Sequence, residues 1–474
     1  MPRAGRGRAA HRMPCSVLNW EIDDSRRTAM PTLEKIDTHQ KALSINLDAA
    51  IFGTFAEIGA GQEVARWFLQ VGGASGTMAK SISAYDKQVS DHIYGAGTRY
   101  VSRERLQAML EKEWSLLLAG LQATRGATTR FFTFVDTISA RNYSGTNESH
   151  GWVGLRFMQE PGGEPSDAIL HVNLRDPANL QQQEAVGILG VNLIYAASRE
   201  LASPEEFLSG VFEELSLDRM EIDLVDLRGP AFEKCDLQKL HASLVMDGYA
   251  EAVAFPADGK LVPPTELLHK KALVLGPSFL GSFETVEDLH RHIIQVTLSG
   301  LPREEVDRSS GALGLFCLAS APVIQQEPPL TTEHIVHHAE ELRQLGSGII
   351  LFRSRELYEM SAYVSRYTNS RVHFAVGLAT LMFALQDRYK GLAGDLLEAV
   401  ARLFTQNVRL SVHPMPVERL KHRLQSMGAT GWTYKEKNGM VYAEDLDPVE
   451  PLNHLYRYLL GSNYILSVHP PPGS

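Results

Sequence analysis

The stretch Phe52-Gly-Thr-Phe-Ala-Glu-Ile-Gly-Ala-Gly-Gln-Glu-Val-Ala-Arg-Trp-Phe68 decides the fold of this chain. Its apolar first half predicts a buried strand, its glycines predict a tight turn, and its second half predicts a helix. A strand that passes through a short turn into a helix is the unit from which α/β proteins are built.

The glycine turn is also a candidate ligand site. Gly59 and Gly61 let the backbone approach a ligand closely, and a helix that starts near Gln62 directs free N–H groups and its positive dipole end at the same place. Glu57 ends the preceding strand. The pattern predicts that this corner holds a phosphorylated or nucleotide-like small molecule, and the alternative is a turn that serves only close packing of the helix on the sheet.

Strand-like and helix-like segments alternate from about residue 50 to about residue 415. This alternation predicts an α/β fold with a mostly parallel sheet and flanking helices. The predicted strands cover residues 53–58, 131–138, 152–158, 168–173, 220–227, 250–255, 271–275, 348–352, 372–376 and 408–413. The clearest predicted helices cover residues 63–70, 102–123, 179–197, 204–215, 332–345, 355–367 and 392–403.

Composition shifts predict four parts of the chain. Residues 1–30 are expected to be a disordered leader, and Met30 is a candidate for the true start. Residues 31–320 form a main α/β domain, a proline-rich linker follows, and residues 331–416 form a smaller α/β domain. In the tail, residues 417–474, Asn438-Gly439 predicts a hairpin with a type I′ turn.

A second glycine-rich segment follows the first predicted helix. Residues 72–80 contain small residues, hydroxyls and a lysine, so Thr77 and Lys80 are candidates for a second phosphate loop. The segment is not a P-loop, which requires the lysine directly after the last glycine. A flexible connection is the alternative.

A polar loop between two predicted strands supplies candidate catalytic residues. In this loop Asn147 can orient a substrate, Glu148 can accept a proton, and His150 titrates near neutral pH. Loops at strand ends are where α/β proteins place their sites. The alternative is a surface loop whose polar groups satisfy one another.

Two acids interrupt an apolar strand further along the chain. Glu221 and Asp223 are two residues apart, so they share one face of the strand. Two carboxylates on one face can hold a magnesium ion. The alternative is the solvated side of an edge strand.

The composition excludes several classes of protein. A chain of 474 residues with 44% hydrophobic residues and a net charge of −10 is typical of a globular protein and not of a general nucleic-acid binder. No apolar run approaches the roughly 20 residues of a membrane-spanning helix. Three widely separated cysteines fit a reducing cytoplasm. The sequence therefore predicts a soluble cytoplasmic protein, and it leaves a homo-oligomer open.

The motif Glu57-Ile-Gly-Ala-Gly61 resembles the first motif of S-adenosylmethionine-dependent methyltransferases. It departs from that motif at Glu63, where those enzymes usually have another glycine. The dinucleotide-binding fingerprint needs an acid roughly 20 residues further on, at the end of a second strand. The nearest candidate, Asp86, has helical surroundings, so a methyltransferase stays an alternative and the sequence identifies no cofactor.

Several segments together resemble one bacterial family of uncharacterised proteins along nearly the full chain after Met30. They are residues 54–66, Ser83-Ala-Tyr-Asp86, Thr146-Asn-Glu-Ser-His-Gly-Trp152 and Gln181-Gln-Gln-Glu-Ala185. Members of this family often carry the labels TonB-dependent receptor or nicotinate-nucleotide adenylyltransferase. A receptor needs a long membrane barrel and the adenylyltransferase needs an HxGH motif, which this sequence lacks. The resemblance implies a bacterial cytosolic protein and implies no activity.

Two hypotheses follow. The first is a cytosolic enzyme or binding protein for a phosphorylated or nucleotide-like molecule at the glycine turn and the loop of His150. The second is a non-catalytic assembly or regulatory protein.

Overall fold

The computed structural model describes residues 36–97, 99–199, 203–279, 288–320, 331–404, 407–427 and 430–469. The predicted leader, residues 1–30, lies outside the described residues. Residues Thr38–Ser474 form one compact unit.

The unit contains both strands and helices. The strands are β1 (Ile51–Ile58), β2 (Met78–Ser83), β3 (Arg130–Ser139), β4 (His150–Phe157), β5 (Ser166–Leu174), β6 (Met220–Arg228), β7 (Ala252–Phe255), β8 (Ala272–Phe279), β9 (Ala312–Ala319), β10 (Gly348–Phe352), β11 (Val372–Gly377), β12 (Val408–His413), β13 (Met415–Pro416), β14 (Trp432–Tyr434), β15 (Met440–Val441), β16 (Leu446–Pro448) and β17 (Ile465–Ser467).

The helices are α1 (Thr38–Leu47), α2 (Gln62–Gln70), α3 (Lys87–Tyr94), α4 (Arg103–Arg125), α5 (Asn179–Ser198), α6 (Pro204–Val211), α7 (Leu237–Met246), α8 (Pro264–Leu268), α9 (Asp288–Ser299), α10 (Arg303–Asp307), α11 (Thr332–Gln344), α12 (Leu357–Val364), α13 (Leu378–Ala384), α14 (Asp395–Leu403), α15 (Val417–Met427) and α16 (Leu452–Gly461). The described residues contain no helix that is both long enough and apolar enough to cross a membrane.

The first sheet has the strand order β2-β1-β3-β4-β5-β6. Strands β2, β1 and β3 are parallel, whereas β3 to β6 form an antiparallel meander. Residues 158–165 form the hairpin connection between β4 and β5. The carboxyl ends of β1 and β3 and the start of β4 therefore meet at one edge of this sheet.

Each face of the first sheet is covered by different helices. Phe55 and Phe134 pack against α2 and α5 in one core cluster. Their sequence neighbours Ala56 and Val135 pack against α4 in another cluster. This alternation follows from the period of two along a strand, and it assigns every polar residue of these strands to one face or the other.

The second sheet has the order β17-β12-β11-β8-β9-β10-β7 and is parallel except for β7. Its strands confirm the predicted α/β class. The linker predicted between residues 320 and 331 lies outside the described residues. Helix α11 follows it, and β10 after that helix pairs with β9. The sheet thus takes strands from both predicted α/β domains. Strands β7, β8 and β9 come from residues 31–320, and β10, β11 and β12 come from residues 331–416.

The two sheets share one hydrophobic core. Helix α7 packs against β6 of the first sheet and against β7 of the second. Val225, Leu240 and Phe316 belong to a single cluster of buried residues that extends across both sheets. The far face of the second sheet is covered by α12 to α14 and by the tail.

The tail contains the predicted turn. Asn438 and Gly439 have φ angles of 51° and 77°, and Lys437 and Met440 exchange backbone hydrogen bonds of 2.9 and 3.0 Å around them. The flanking strands pair elsewhere, β15 with β13 and β14 with β16. The sequence therefore predicted the turn correctly, whereas the strand partners depend on segments distant in the chain.

Candidate functional site

The glycine turn between β1 and α2 packs directly against β3. Gly59 has a φ of +108°, and a Cβ built on it would lie 1.8 Å from the carbonyl oxygen of Ile138. A Cβ on Gly61 would lie 1.7 Å from Oδ2 of Asp136. Only glycine fits at either position, because real Cβ atoms do not approach other atoms below about 3 Å. The turn is needed for close approach of β3, and both Ala60 and Gly61 are buried.

Two acids lie next to each other beneath this turn. Glu57 of β1 pairs with Asp136 of β3 in the parallel register. Glu57 is 7% exposed and Asp136 is 0% exposed. Neither carboxyl oxygen of Asp136 has a hydrogen-bond partner among the described residues. Since like charges repel, an anion at this corner would be opposed by any charge that these two groups carry.

Burial raises the pKa of both acids. For Asp136 burial is the larger cause and Glu57 adds to it, and the pKa lies well above its usual value. For Glu57 burial raises the pKa to about 7, and Glu63 of α2 contributes in the same direction. Both carboxyls therefore favour the protonated form in the folded protein.

Two of the predicted phosphate-binding residues lie away from the glycine turn. The segment predicted as a second phosphate loop or a flexible connection contains a short 3-10 turn and the start of β2. Thr77 lies beside Gly53 at the amino end of β1, and its hydroxyl donates to the carbonyl of Ile45 at 3.4 Å. Lys80 forms an ion pair with Glu113 of α4, on the other face of the sheet. Strand pairing thus separates both residues from Gly59.

The other predicted residues around the turn have local partners. Gln62 donates to the hydroxyl of Ser83 at 3.3 Å. The side chain of Asn147 donates to the carbonyl of Ala140 at 2.7 Å and accepts from the backbone of Asn142 at 2.8 Å. Asn147 therefore holds the polar loop in shape, while Glu148 is exposed.

His150 belongs to a hydrogen-bonded chain of three side chains. Its Nδ1 lies 3.1 Å from Nε2 of His171, and Nδ1 of His171 lies 2.6 Å from Oδ1 of Asp223. A carboxylate only accepts hydrogen bonds, so His171 carries its proton on Nδ1 and accepts at Nε2. His150 then donates from Nδ1, which leaves the lone pair of its Nε2 free. Within the described residues this Nε2 atom has no hydrogen-bond partner.

The chain exists because three adjacent strands place the residues together. His171 of β5 is diagonal to His150 of β4, since His150 pairs with Asn173 and Trp152 pairs with His171. Between β5 and β6 the register shifts next to His171, and Asp223 is the additional residue at that irregularity. A bulge of this kind changes the direction of a side chain, and here it brings the carboxyl of Asp223 to His171.

Glu221 and Asp223, the predicted metal ligands, are bound by protein groups. Asn173 donates to Asp223 at 2.8 Å and lies 3.4 Å from Glu221. Arg175 forms ion pairs with Glu221 at 3.0 Å and with Glu251 at 2.8 Å. In the described part of the chain, no group of three or more His, Cys, Asp and Glu residues is arranged to hold a metal ion.

The surroundings of His150 are basic. Burial lowers the pKa of His150 to about 4, His171 lowers it further, Asp223 opposes this, and the charges of Arg99 and His269 lower it again. Arg99 and His269 are exposed, whereas His150 is only half-buried. The ring of His150 is therefore neutral at pH 7, and the charge of the nearby Arg99 can attract an anion.

The acids and the histidines lie at the same edge of the first sheet but on opposite faces. Glu57 and Asp136 continue the face of Phe55 and Phe134, towards α2 and α5. His150 and His171 continue the face of Trp152 and Ile169, which belong to the cluster of α4. The sequence predicted one site from Gly59, Gly61 and His150, and the sheet places them in two separate environments.

Sequence reasoning missed His171 and Asp136. His171 and Asn173 are polar residues two apart within the apolar strand Ala168–Leu174, which is the same pattern that identified Glu221 and Asp223. Asp136 is a single acid within the apolar run Phe131–Ile138. A buried acid inside a central strand is an available signal for a site.

Comparisons with known proteins show only distant likeness. No protein-family model and no curated protein matches the chain. The chain is similar to the competence/damage-inducible protein CihA of Agrobacterium tumefaciens, with 18% identity, 35% of this chain and 99% of that chain covered, and a TM-score of 0.27. It is also similar to a competence-damaged (CinA) superfamily protein of Enterobacter cloacae, with 15% identity, coverage of 36% and 98%, and a TM-score of 0.24. Likeness at this level supports no functional argument.

Proposed function

We propose that the protein is a cytosolic enzyme that moves a proton on a phosphorylated or nucleotide-like small molecule, with His150 as the general base. The hydrogen-bonded chain of His150, His171 and Asp223 is the observation that supports this proposal. A histidine held by a second group that fixes its tautomer is the arrangement that acid-base catalysis requires.

The chain compensates for the weak basicity of His150. When Nε2 of His150 takes a proton from a substrate, the proton on its Nδ1 can pass to Nε2 of His171. The positive charge then lies on His171, whose Nδ1–H donates to the buried carboxylate of Asp223, and no longer on His150. Proton transfer along prealigned hydrogen bonds requires no movement of the rings, which already lie at hydrogen-bond distance.

A cationic neighbour of His150, Arg99, favours an anionic ligand. Arg99 and His269 lie close enough to lower its pKa, and guanidinium groups bind phosphate and carboxylate oxygens well. We place the ligand predicted from the sequence at His150, because Asp136 occupies the space beside Gly61. Gly59 and Gly61 then serve to position β3, which pairs with the strand of His150.

Chemical modification of histidine tests the proposal. Diethylpyrocarbonate reacts with neutral imidazoles, so His150 is expected to react at about pH 7. His337, which is 79% exposed, serves as the reference in the same mass spectrum. Inorganic phosphate, AMP, a ribose phosphate and S-adenosylmethionine are then added in turn.

We expect at least one phosphorylated compound to slow modification of His150 while His337 reacts as before. The same compound should raise the melting temperature of the wild type and of His337→Gln but not of Arg99→Gln, since a ligand at 100 times its Kd stabilises by about 2.7 kcal/mol. Equal modification of His150 with and without every compound, together with an unchanged melting temperature, would overturn the proposal.

A further inference from the structure

We propose that Glu57 and Asp136 form a buried proton-binding pair, and that loss of its proton with rising pH loosens the corner where β1 passes into α2. This inference is independent of the function proposed for His150. It concerns the opposite face of the first sheet and the packing of the glycine turn.

The geometry forces the two carboxyls together. Glu57 and Asp136 are direct partners in the register of β1 and β3, and both side chains point towards α2. Both oxygens of Asp136 are buried without a partner among the described residues. A fully charged carboxylate without a hydrogen bond or a counter-ion is very costly inside a protein, whereas a protonated carboxyl can donate to its neighbour.

Among the described residues, the elements packed around the pair place no cation in an ion pair with Glu57 or Asp136. Strand β2 contributes Ser83, which is level with Glu57. Helix α2 contributes Glu63, whose side chain pairs with Arg66. Helix α5 faces α2 with Gly187 and Gly190. The charge from these elements that acts on Glu57 is thus the negative charge of Glu63. A proton can neutralise the carboxylates of Glu57 and Asp136.

A metal ion fits this corner poorly. The backbone of Gly61 lies so close to Asp136 that not even a Cβ fits between them. The start of α2 also presents the positive end of its helix dipole, which disfavours a cation. A proton needs no such space, so the pair is better suited to hold a proton than a metal.

The sign of the pH effect follows from the direction of the shifts. Both acids bind their proton more tightly in the folded than in the unfolded protein. The stabilisation is fully present below the unfolded pKa of Glu57, 4.5, and is lost as the pH rises through its folded pKa of about 7. Above that range Glu57 carries a charge in a buried position, and opening of the corner between β1 and α2 relieves the cost of burying that charge.

Hydrogen exchange measured by mass spectrometry tests the inference on the full chain. We expect the local opening constant of peptides from β1 and α2 to rise about tenfold or more between pH 5 and pH 8, after correction for intrinsic exchange. Peptides from the second sheet should not show this increase. In Asp136→Asn and in Glu57→Gln the increase should be at least several-fold smaller, because only one ionisable group remains.

Glu164→Gln is the matched control, since Glu164 is an exposed acid in the loop between β4 and β5, and it should behave as the wild type does. Infrared spectroscopy of the wild type at pH 6 gives a readout that does not depend on folded variants, because a protonated buried carboxyl has its own carbonyl band. Parallel pH profiles in the wild type and Asp136→Asn, or absence of that band, would overturn the inference. Protection of the wild type but not of Asp136→Asn by Mg²⁺ or Ca²⁺ at pH 8 would also overturn it, in favour of a cation site.

Discussion

Nδ1 of His150 lies 3.1 Å from Nε2 of His171, across the antiparallel pair of strands β4 and β5. Two imidazoles in this contact must adopt complementary tautomers, one donating and one accepting. Asp223 determines which ring donates and which accepts, because its carboxylate accepts a hydrogen bond from Nδ1 of His171 at 2.6 Å. Nε2 of His171 is then the acceptor and Nδ1 of His150 is the donor.

Asp223→Asn should therefore change the tautomer of His150 without direct contact to it. The amide can present an N–H to His171, which would move the proton of His171 to Nε2 and that of His150 to its own Nε2. We expect slower modification of His150 by diethylpyrocarbonate and a change of the imidazole ¹⁵N shifts of both rings. Asp167→Asn is the control, because Asp167 lies on β5 like His171 but forms its ion pair with Arg156. This variant should leave the modification rate and the ¹⁵N shifts unchanged. Unaltered shifts in Asp223→Asn would show that Asp223 does not set the tautomers.

Gly61→Ala tests the contact between the glycine turn and Asp136. The added methyl group would overlap the buried carboxyl at 1.7 Å, so we expect a loss of about 1–3 kcal/mol in the free energy of unfolding, as overpacked cores show. Gly120→Ala in α4 is the matched control, because nothing lies within 4 Å of its added methyl group. That change should stabilise the protein by about 0.5–1 kcal/mol. Chemical denaturation measures both values, and equal effects would contradict the packing role of Gly61.

Gly439→Ala tests the turn in the tail. Gly439 has a φ of +77°, and an added methyl group would meet no atom within 4 Å. Gly439→Ala should therefore lower the free energy of unfolding by about 1 kcal/mol, because alanine disfavours a positive φ. Gly461 ends helix α16, and its added methyl group is equally free of contacts. We expect no loss of melting temperature for Gly461→Ala. A decrease of the same size in both variants would argue against a specific demand for positive φ at residue 439.

The ion pairs of Glu251 predict a dependence of stability at acid pH. Burial opposes ionisation of Glu251, but Arg175 and Arg366 outweigh it and lower its pKa to about 2. The resulting stabilisation is present above the unfolded pKa of 4.5 and is lost as the pH falls from there towards 2. Arg366→Gln should lower the free energy of unfolding at pH 7 by on the order of 1 kcal/mol and no more, because Arg366 is partly exposed. The loss should be smaller at pH 3, because Glu251 is then partly protonated.

Arg308→Gln provides the comparison for this prediction. Arg308 pairs with Glu304 at 3.2 Å, and the two side chains are 78% and 82% exposed. Exposed pairs contribute little, so the melting temperature of Arg308→Gln should equal that of the wild type at every pH. If Arg366→Gln were also silent at pH 7, the pair of Arg366 and Glu251 would not stabilise the fold.

Local patterns were enough to predict most of the elements. Residues 348–352 and 408–413 are strands with the predicted bounds, because their apolar runs are short and end in turn residues. Strand β2 was missed, since Met78–Ser83 alternates between partly buried and exposed residues and follows a glycine-rich segment. Such a strand is defined by its pairing with β1 and not by its own hydrophobicity.

The site was predictable only in part. His150 was identified because it belongs to a polar loop between two strands, and Glu221 and Asp223 were identified because acids are unusual in an apolar strand. Their grouping was not predicted, because it depends on a register in which His171 lies diagonal to His150 and on the bulge that redirects Asp223. Glu221 and Asp223 were expected to act together on a metal, whereas one contacts Arg175 and the other contacts His171.

By itself the sequence determined most of the strands and helices, though not β2 or β9, and it determined the glycine turn after β1 and the turn at Asn438 and Gly439. These features depend on periodicity and on backbone conformations encoded within a few residues. Only the tertiary structure decided that Glu57 and Asp136 face α2 while His150 and His171 lie on the opposite face of the sheet, and that Asp136 lies against Gly61. Those contacts join residues that are distant in the chain, and strand register, which fixes them, is set by the packing of the whole sheet.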